Sequence, residues 1–281
     1  MSAAGAITAV RPRESAYARG ASFVRRHVLT GYALLALAYL FLPIAVVVAF
    51  SFNNPAGRFN FTWQGFTLTN WAHPFNYPGL GSAIRISLEI AVLSSLAATA
   101  LGTLVALALV RYRFVGSGLT NLLIFVPLTA PEIVLGASLL TLFLHWGIAQ
   151  GFVTILIAHI MFNISYVVVT VKARLAGFDR HLEEAAMDLG ANEWSTFFRV
   201  TLPLIMPGIL AAALLAFALS VDDFVITYFN AGATTTFPLF VWGAARVAVP
   251  PQINVIGTMI FVVAVAAMLV NIVAQNRRAR S

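Results

Sequence analysis

Long apolar runs alternate with short polar stretches along this chain, and the alternation sets its architecture. Apolar stretches at approximately 31–52, 83–110, 118–145, 151–171, 203–229 and 254–275 each approach the length that carries a helix across a bilayer. Six membrane-spanning helices are therefore predicted. Polar segments between them carry the basic residues unevenly. Arg11, Arg13, Arg19, Arg25 and Arg26 precede the first run, and Arg111 and Arg113 separate the second from the third. Lys172, Arg174, Arg180 and Arg199 lie between the fourth and fifth, and Arg277, Arg278 and Arg280 follow the last. Only Arg58, Arg85 and Arg246 fall on or near the opposite side. With 14 of 17 basic residues on one side, the positive-inside rule places both termini in the cytoplasm. An odd number of spans would destroy that separation.

Composition agrees with the pattern. The chain is 60% hydrophobic and 10% charged, where soluble domains carry about 25% charge. The net charge of +7 marks topology rather than a nucleic-acid patch. There is no cysteine, which excludes disulfides, thiolate nucleophiles and cysteine-based metal sites. The single lysine, Lys172, lies in no Gly-rich phosphate loop, so ATP hydrolysis by this chain alone is not expected.

The polar segments divide the chain further. Residues 1–28 are Arg- and Ala-rich without apolar period and read as a disordered cytoplasmic segment, 29–275 as the membrane domain, and 276–281 as a basic cytoplasmic tail. The outer loop 53–82 is rich in Asn, Gly, Pro and aromatics (Trp63, Trp71, Phe75, Tyr77), which suits a folded loop at headgroup level. The stretch Asn230–Pro251 has room for a short re-entrant or interfacial helix.

The cytoplasmic loop 175–202 is the most informative segment. Asp179 is a good N-cap, and Leu182, Ala185, Ala186 and Leu189 follow at helical spacing as one apolar stripe. Glu183, Glu184 and Asp188 point away from that stripe, and Gly190 stands where a helix ends in a left-handed residue. A second short helix can begin at Asn192, with Trp194, Phe197 and Phe198 as its apolar face. Pro203, after Leu202, suits the first turn of the next span. Helices that lie on a bilayer usually have a basic polar face; this one is acidic, so a protein partner explains it better than lipid.

The spacing Glu184-Ala-Ala186, three residues, Gly190, nine residues, then Val200-Thr-Leu-Pro203 resembles the EAA loop of ABC-importer permeases. Ser51-Phe-Asn53, Phe66-Thr-Leu68, Ala108-Leu-Val-Arg-Tyr-Arg-Phe114 and Leu219-Ser-Val-Asp-Asp-Phe224 extend the resemblance from about Tyr32 to Asn271, toward the second membrane subunit of spermidine/putrescine importers. The resemblance implies an all-α fold of the type I importer-permease kind in a bacterial cytoplasmic membrane. It also implies a paralogous permease as heterodimer partner, two copies of an ATPase that binds ATP-Mg, and an extracytoplasmic substrate-binding protein. In that family the loop docks on the ATPase, which assigns coupling to Glu183, Glu184, Ala185, Ala186, Asp188, Leu189, Gly190, Leu202 and Pro203. No cofactor is expected on this chain. Other amines, opines and amino-acid-like substrates fit the same architecture.

Ionisable groups inside spans are costly and often mark a transport path. Arg85 and Glu89 are four residues apart on one helical face and pair most simply with each other. Thr129-Ala-Pro-Glu132 has capping-box spacing, which predicts a break in the third span with Glu132 at the new N-terminus. Asp222 and Asp223 have no basic residue within a helical turn, and with Glu132 they are the candidate pathway residues for a cationic substrate. Adjacent residues lie ~100° apart around a helix, so one aspartate can face the pathway while the other caps a break or bonds a neighbouring helix. His145, His159 and Ser220 have no companion in sequence that points to metal binding or nucleophilic catalysis. A secondary transporter using the same acids as proton or cation sites is the competing class, although no internal repeat supports it.

Overall fold

The computed structural model describes residues 16–112 and 114–278. Twelve α-helices and one π-helical turn account for the described regular structure, with one isolated antiparallel bridge, Asn53 to Phe66. In chain order they are α1 (Ala16–Phe50), α2 (Thr69–Ala72), α3 (Leu80–Arg111), α4 (Ser117–Thr129), α5 (Glu132–His145) and α6 (Phe152–Ala176). There follow α7 (His181–Asp188), α8 (Glu193–Thr196), the π turn Phe197–Thr201, α9 (Leu202–Asp222), α10 (Val225–Asn230), α11 (Phe237–Val247) and α12 (Pro251–Arg278). Residues 1–15 of the expected N-terminal segment, Arg113, and 279–281 of the expected tail lie outside the described residues. The stretch 16–28, expected to be disordered, is helical, because the Ala-rich approach to the first span extends α1 back to Ala16.

Four helices are long and apolar enough to cross a membrane: α1 from His27, α3, α6, and the continuous helix from Glu193 to Asp222. The bent pair α4 and α5 makes a fifth if counted as one span. The expected sixth span lies in α12, which is apolar over Pro251–Ala266.

Two compact units divide the chain. In the first, α12 packs on α1 and α2, and the loop after α1 folds around Asn53. The fully buried Asn53 amide donates to Asn60 Oδ1 at 2.6 Å and to the Thr62 carbonyl at 2.8 Å, and its oxygen accepts from Gln64 N–H at 2.8 Å. Asn60 in turn donates to the Phe50 carbonyl at the end of α1, and Asn70 to the Asn53 carbonyl. Phe52 stacks on both Phe66 and Trp71. The Ser51-Phe-Asn53 and Phe66-Thr-Leu68 elements are thus the two halves of one hydrogen-bonded knot that ends the first span.

The second unit, Phe75–Pro250, is built on α3, α6 and α9. Small residues set their approach: Ala98, Ala106, Ala212 and Ala216 are all fully buried in one cluster with Val167, Val168 and Val171. Gly102 lets α3 touch α6, since a Cβ there would sit 2.7 Å from Val167 Cγ1. Lipid supplies no hydrophobic force between helices, so such small-residue contacts carry the packing. A second cluster joins α5, α6 and α10 through Leu139, Phe143, Ala158, Phe162 and Ile226.

The predicted break in the third span is present: α4 and α5 are bent by 110° across Ala130-Pro131. Its expected capping box is not formed. The Thr129 hydroxyl turns back to the Phe125 and Val126 carbonyls, and Pro131 leaves the N-cap of α5 without a side-chain bond. The fifth span is also interrupted, after Asp222, which the sequence reading drew as continuous to 229. The short helix expected between Asn230 and Pro251 is α11.

Candidate functional site

Two regions of the second unit gather the chemistry. The first is the loop from α7 to α9. Asp179 accepts from the His181 N–H at 3.0 Å and opens α7. Gly190 ends it at φ +90°, with its N–H on the Met187 carbonyl and the Ala191 N–H reaching back to Ala186. Asn192 then caps α8 by accepting from Ser195 N–H at 2.8 Å, and the chain passes through the π turn into α9, where Pro203 lies in the first turn. Both helices therefore start where the residues dictate.

The orientation of α7 differs from expectation at Glu183. Its side chain is 16% exposed and turns inward, where it bonds Arg111 at the end of α3 and the Thr201 hydroxyl in the π turn. An acid this close to a fixed guanidinium and a hydroxyl is an anchor rather than a free docking group. Two further arginines strengthen the attachment. Arg180 donates to the Val110 carbonyl at 2.9 Å, occupying an end carbonyl of α3. Arg174 donates to the Leu204 carbonyl at 3.0 Å, its stem packed where Gly208 has no side chain. These basic residues, read from sequence as topology markers, are also the pins of the loop.

Pinning the inner face leaves the rest exposed. Leu189 is 90% exposed and Trp194 74%, with Leu182, Met187 and Phe198 exposed as well. Trp194 and Phe198 stack in parallel at 6.0 Å. Glu184, Ala185 and Asp188 are on the outer surface and Glu184 pairs with His181, whereas Ala186 and Leu202 are half-buried. A cleft of about 210 Å³ opens between α7 and the π turn, lined by Met187, Glu193 and Phe197 beside the Arg111–Glu183 pair. The loop thus presents exposed apolar surface ringed by acids.

The second region is the break between α9 and α10. Asp223 is not a free pathway group: its side chain is 6% exposed, and it accepts from the Thr227 N–H at 2.8 Å and the Thr227 hydroxyl at 2.7 Å, capping α10. His159 Nε2 of α6 lies 3.2 Å from the same carboxylate and 2.9 Å from the Thr227 hydroxyl oxygen. His159 Nδ1 lies 2.6 Å from Ser220 Oγ, which accepts from the Ser94 hydroxyl of α3 at 3.1 Å. The Thr227 hydrogen is spent on Asp223, so the Nε2 that faces them is a donor. This chain of five side chains ties α3, α6, α9 and α10 together without solvent. His159 and Ser220 thus have partners that the sequence reading missed. They lie 61 or more positions apart in sequence, and their only local signal is a histidine inside an apolar run.

Asp222 is exposed at the last position of α9 and makes no ion pair among the described residues. A carboxylate at the negative end of a helix is unfavourable on its own account. Glu132 is exposed in the first turn of α5, where the dipole favours it. Arg85 and Glu89 pair at 3.8 Å along α3. His145 is exposed at the end of α5, and the described residues contain no cluster of metal-binding side chains.

A sequence model of the family described as "binding-protein-dependent transport system inner membrane component" matches residues 98–279, which includes both regions. The chain belongs to this permease family. The permease is 40% identical over 240 residues to the spermidine/putrescine transport system permease protein PotC of Escherichia coli, covering 85% of this chain and 90% of that one. It is also 40% identical over 235 residues to the putrescine transport system permease protein PotI of the same organism, covering 81% of this chain and 83% of that one. A bacterial ABC transporter for import of the acidic polysaccharide alginate has the same fold, with a TM-score of 0.62 at 19% identity over 95% of this permease and 99% of that chain.

Breaking either side of the Arg111–Glu183 pair will have one shared effect. Arg111→Ala and Glu183→Ala, alone or together, should lower the thermal stability of the purified permease by similar amounts, with a coupling energy of about 0.5–3 kcal/mol from the double-mutant cycle. His159→Leu leaves the Asp223 carboxylate and Ser220 short of a partner and should cost about 1–3 kcal/mol, read by thermal unfolding. His159→Gln should recover part of that loss.

Proposed function

We propose that this permease is one membrane subunit of an ATP-driven importer of polyamines, spermidine and putrescine among them. The observation that carries this is the 40% identity, over 85% of the chain, to a spermidine/putrescine permease. It works beside a paralogous permease, two copies of a separate ATPase that binds ATP-Mg, and an extracytoplasmic binding protein that delivers substrate. The chain itself hydrolyses no ATP. Both termini are cytoplasmic, following the Arg distribution.

Energy enters through α7 and α8. The exposed Leu189, Trp194 and Phe198 offer an apolar face to the ATPase, and Glu184 and Asp188 surround it with charge. Attachment of α7 by Glu183 and Arg180, with Arg174 of α6 bonded to Leu204 of α9, passes any displacement of α7 to α3 and α9. Substrate contact falls to Asp222 and, at the α4–α5 break, to Glu132, both exposed carboxylates in apolar surroundings. Asp223 acts through structure, holding the α9–α10 break open beside Asp222. Contact with a cation there is transient, since a permanent site would trap it.

Uptake of labelled putrescine and spermidine, in cells with and without this gene at fixed membrane potential, tests the proposal. Deletion should abolish the ATP-dependent component. Gly190→Pro, which cannot adopt the positive φ that ends α7, should cut uptake at least about tenfold and release the ATPase from the membrane fraction. Uptake that persists in the deletion strain contradicts the substrate assignment, and full transport in Gly190→Pro contradicts the coupling assignment.

A further inference from the structure

Side chains along the seam of α3, α6 and α9 stack in layers. In one layer Ser94 of α3 and His159 of α6 both bond the Ser220 hydroxyl of α9. In another, Val167 of α6 fills the notch at Gly102 of α3, and Ala212 of α9 belongs to the same buried cluster. On every helix the two layers are eight residues apart. The layer between them lies four residues from each, about 6 Å along the axis and on the same helix faces. It consists of Ala98, Asn163 and Ala216, all fully buried. Asn163 is therefore the one long side chain at its level, set among methyl groups. Neither its Nδ2 nor its Oδ1 makes a hydrogen bond within the protein. The other buried asparagines behave differently: Asn53, Asn60, Asn70 and Asn230 each donate to a backbone carbonyl.

We infer that Asn163 binds a water molecule sealed between α3, α6 and α9. An amide carries two donor hydrogens and an acceptor oxygen, and burying them unmatched is costly. Lipid offers no partner inside a membrane, and the alanines of this layer offer none either. A second protein chain cannot supply one, because the side chain is closed off within this one. Water both donates and accepts, so one molecule answers either end of the amide. A metal cation does not fit, since the amide hydrogens repel it and the layer holds no carboxylate. Alanine at two of the three positions keeps bulk away from the amide. The demand for partners extends along α3, where the buried hydroxyl oxygens of Thr99 and Thr103, next in sequence to Ala98 and Gly102, also lack a partner in the protein.

The direct test is an experimental density map of the assembled complex, at a resolution that shows ordered water elsewhere in the protein interior. The native protein should show a water-sized peak about 2.7–3.2 Å from Asn163 Nδ2 or Oδ1, and Asn163→Leu should lose it. No peak in the native map, an amide bonded directly to a protein group, or a peak that persists in Asn163→Leu would overturn the inference. Thermal unfolding of the same complex gives a second reading. Ala216→Val fills the space of the water and strands the amide, which should lower the unfolding temperature by about 2–4 °C. In an Asn163→Ala background there is no amide to strand, so the added methyl groups should cause no loss. An equal loss in both backgrounds would contradict a water held by Asn163.

Discussion

The attachment of α7 by the Glu183 carboxylate, held between Arg111 and Thr201, is the interaction on which the placement of this helix depends. A surface helix of eight residues has little stability of its own. Here its acidic inner side is fixed to the ends of α3 and α9, while Arg180 and Arg174 tie the flanking chain to carbonyls of the same helices. A displacement delivered to the outer side cannot be absorbed locally. The π turn at Phe197–Thr201 belongs to the same device, since it places the Thr201 hydroxyl toward Glu183.

A second constraint shapes the rest: inside a membrane, every broken helix must satisfy its own polar groups. Each break here has a distinct solution. Asn53 and Asn60 fold the following loop over the end of α1. Asp223 caps α10 and draws His159 and Ser220 into the same chain of bonds. Asn230, fully buried at the end of α10, donates to Gly136 of α5, and its carbonyl accepts from Thr154 at the start of α6. At these breaks the polar side chains are consumed by architecture, whereas the Asp222 and Glu132 carboxylates are exposed.

Much of this was legible in the sequence because it rests on local rules. Apolar run length located the helices, Gly190 and Asn192 fixed the turns of the loop from α7 to α9, and Pro131 marked the break between α4 and α5. What escaped was set by contacts distant in sequence. Nothing local to Glu183 says that Arg111 lies beside it, so an acid read as part of a polar face proved to be an anchor. His159 gave no pattern because its partners come from α9 and α10. Asp222 and Asp223 were recognised as a pair with two separate tasks, but only the fold decides that Asp223 is the one buried. The end of the fifth span was missed for the same reason: Phe224–Asn230 is apolar enough to continue a helix, and the cap that stops it arrives from the side chain of Asp223.

The central claim is that the exposed face of α7 and α8 receives the ATPase. The chain has no cysteine, so Leu189→Cys creates an attachment point unique within this chain, at the most exposed apolar position of that face. A photoreactive maleimide placed there in the assembled importer should form an adduct with the ATPase subunit. Adducts with lipid alone, in a preparation where the ATPase remains bound, would contradict the account.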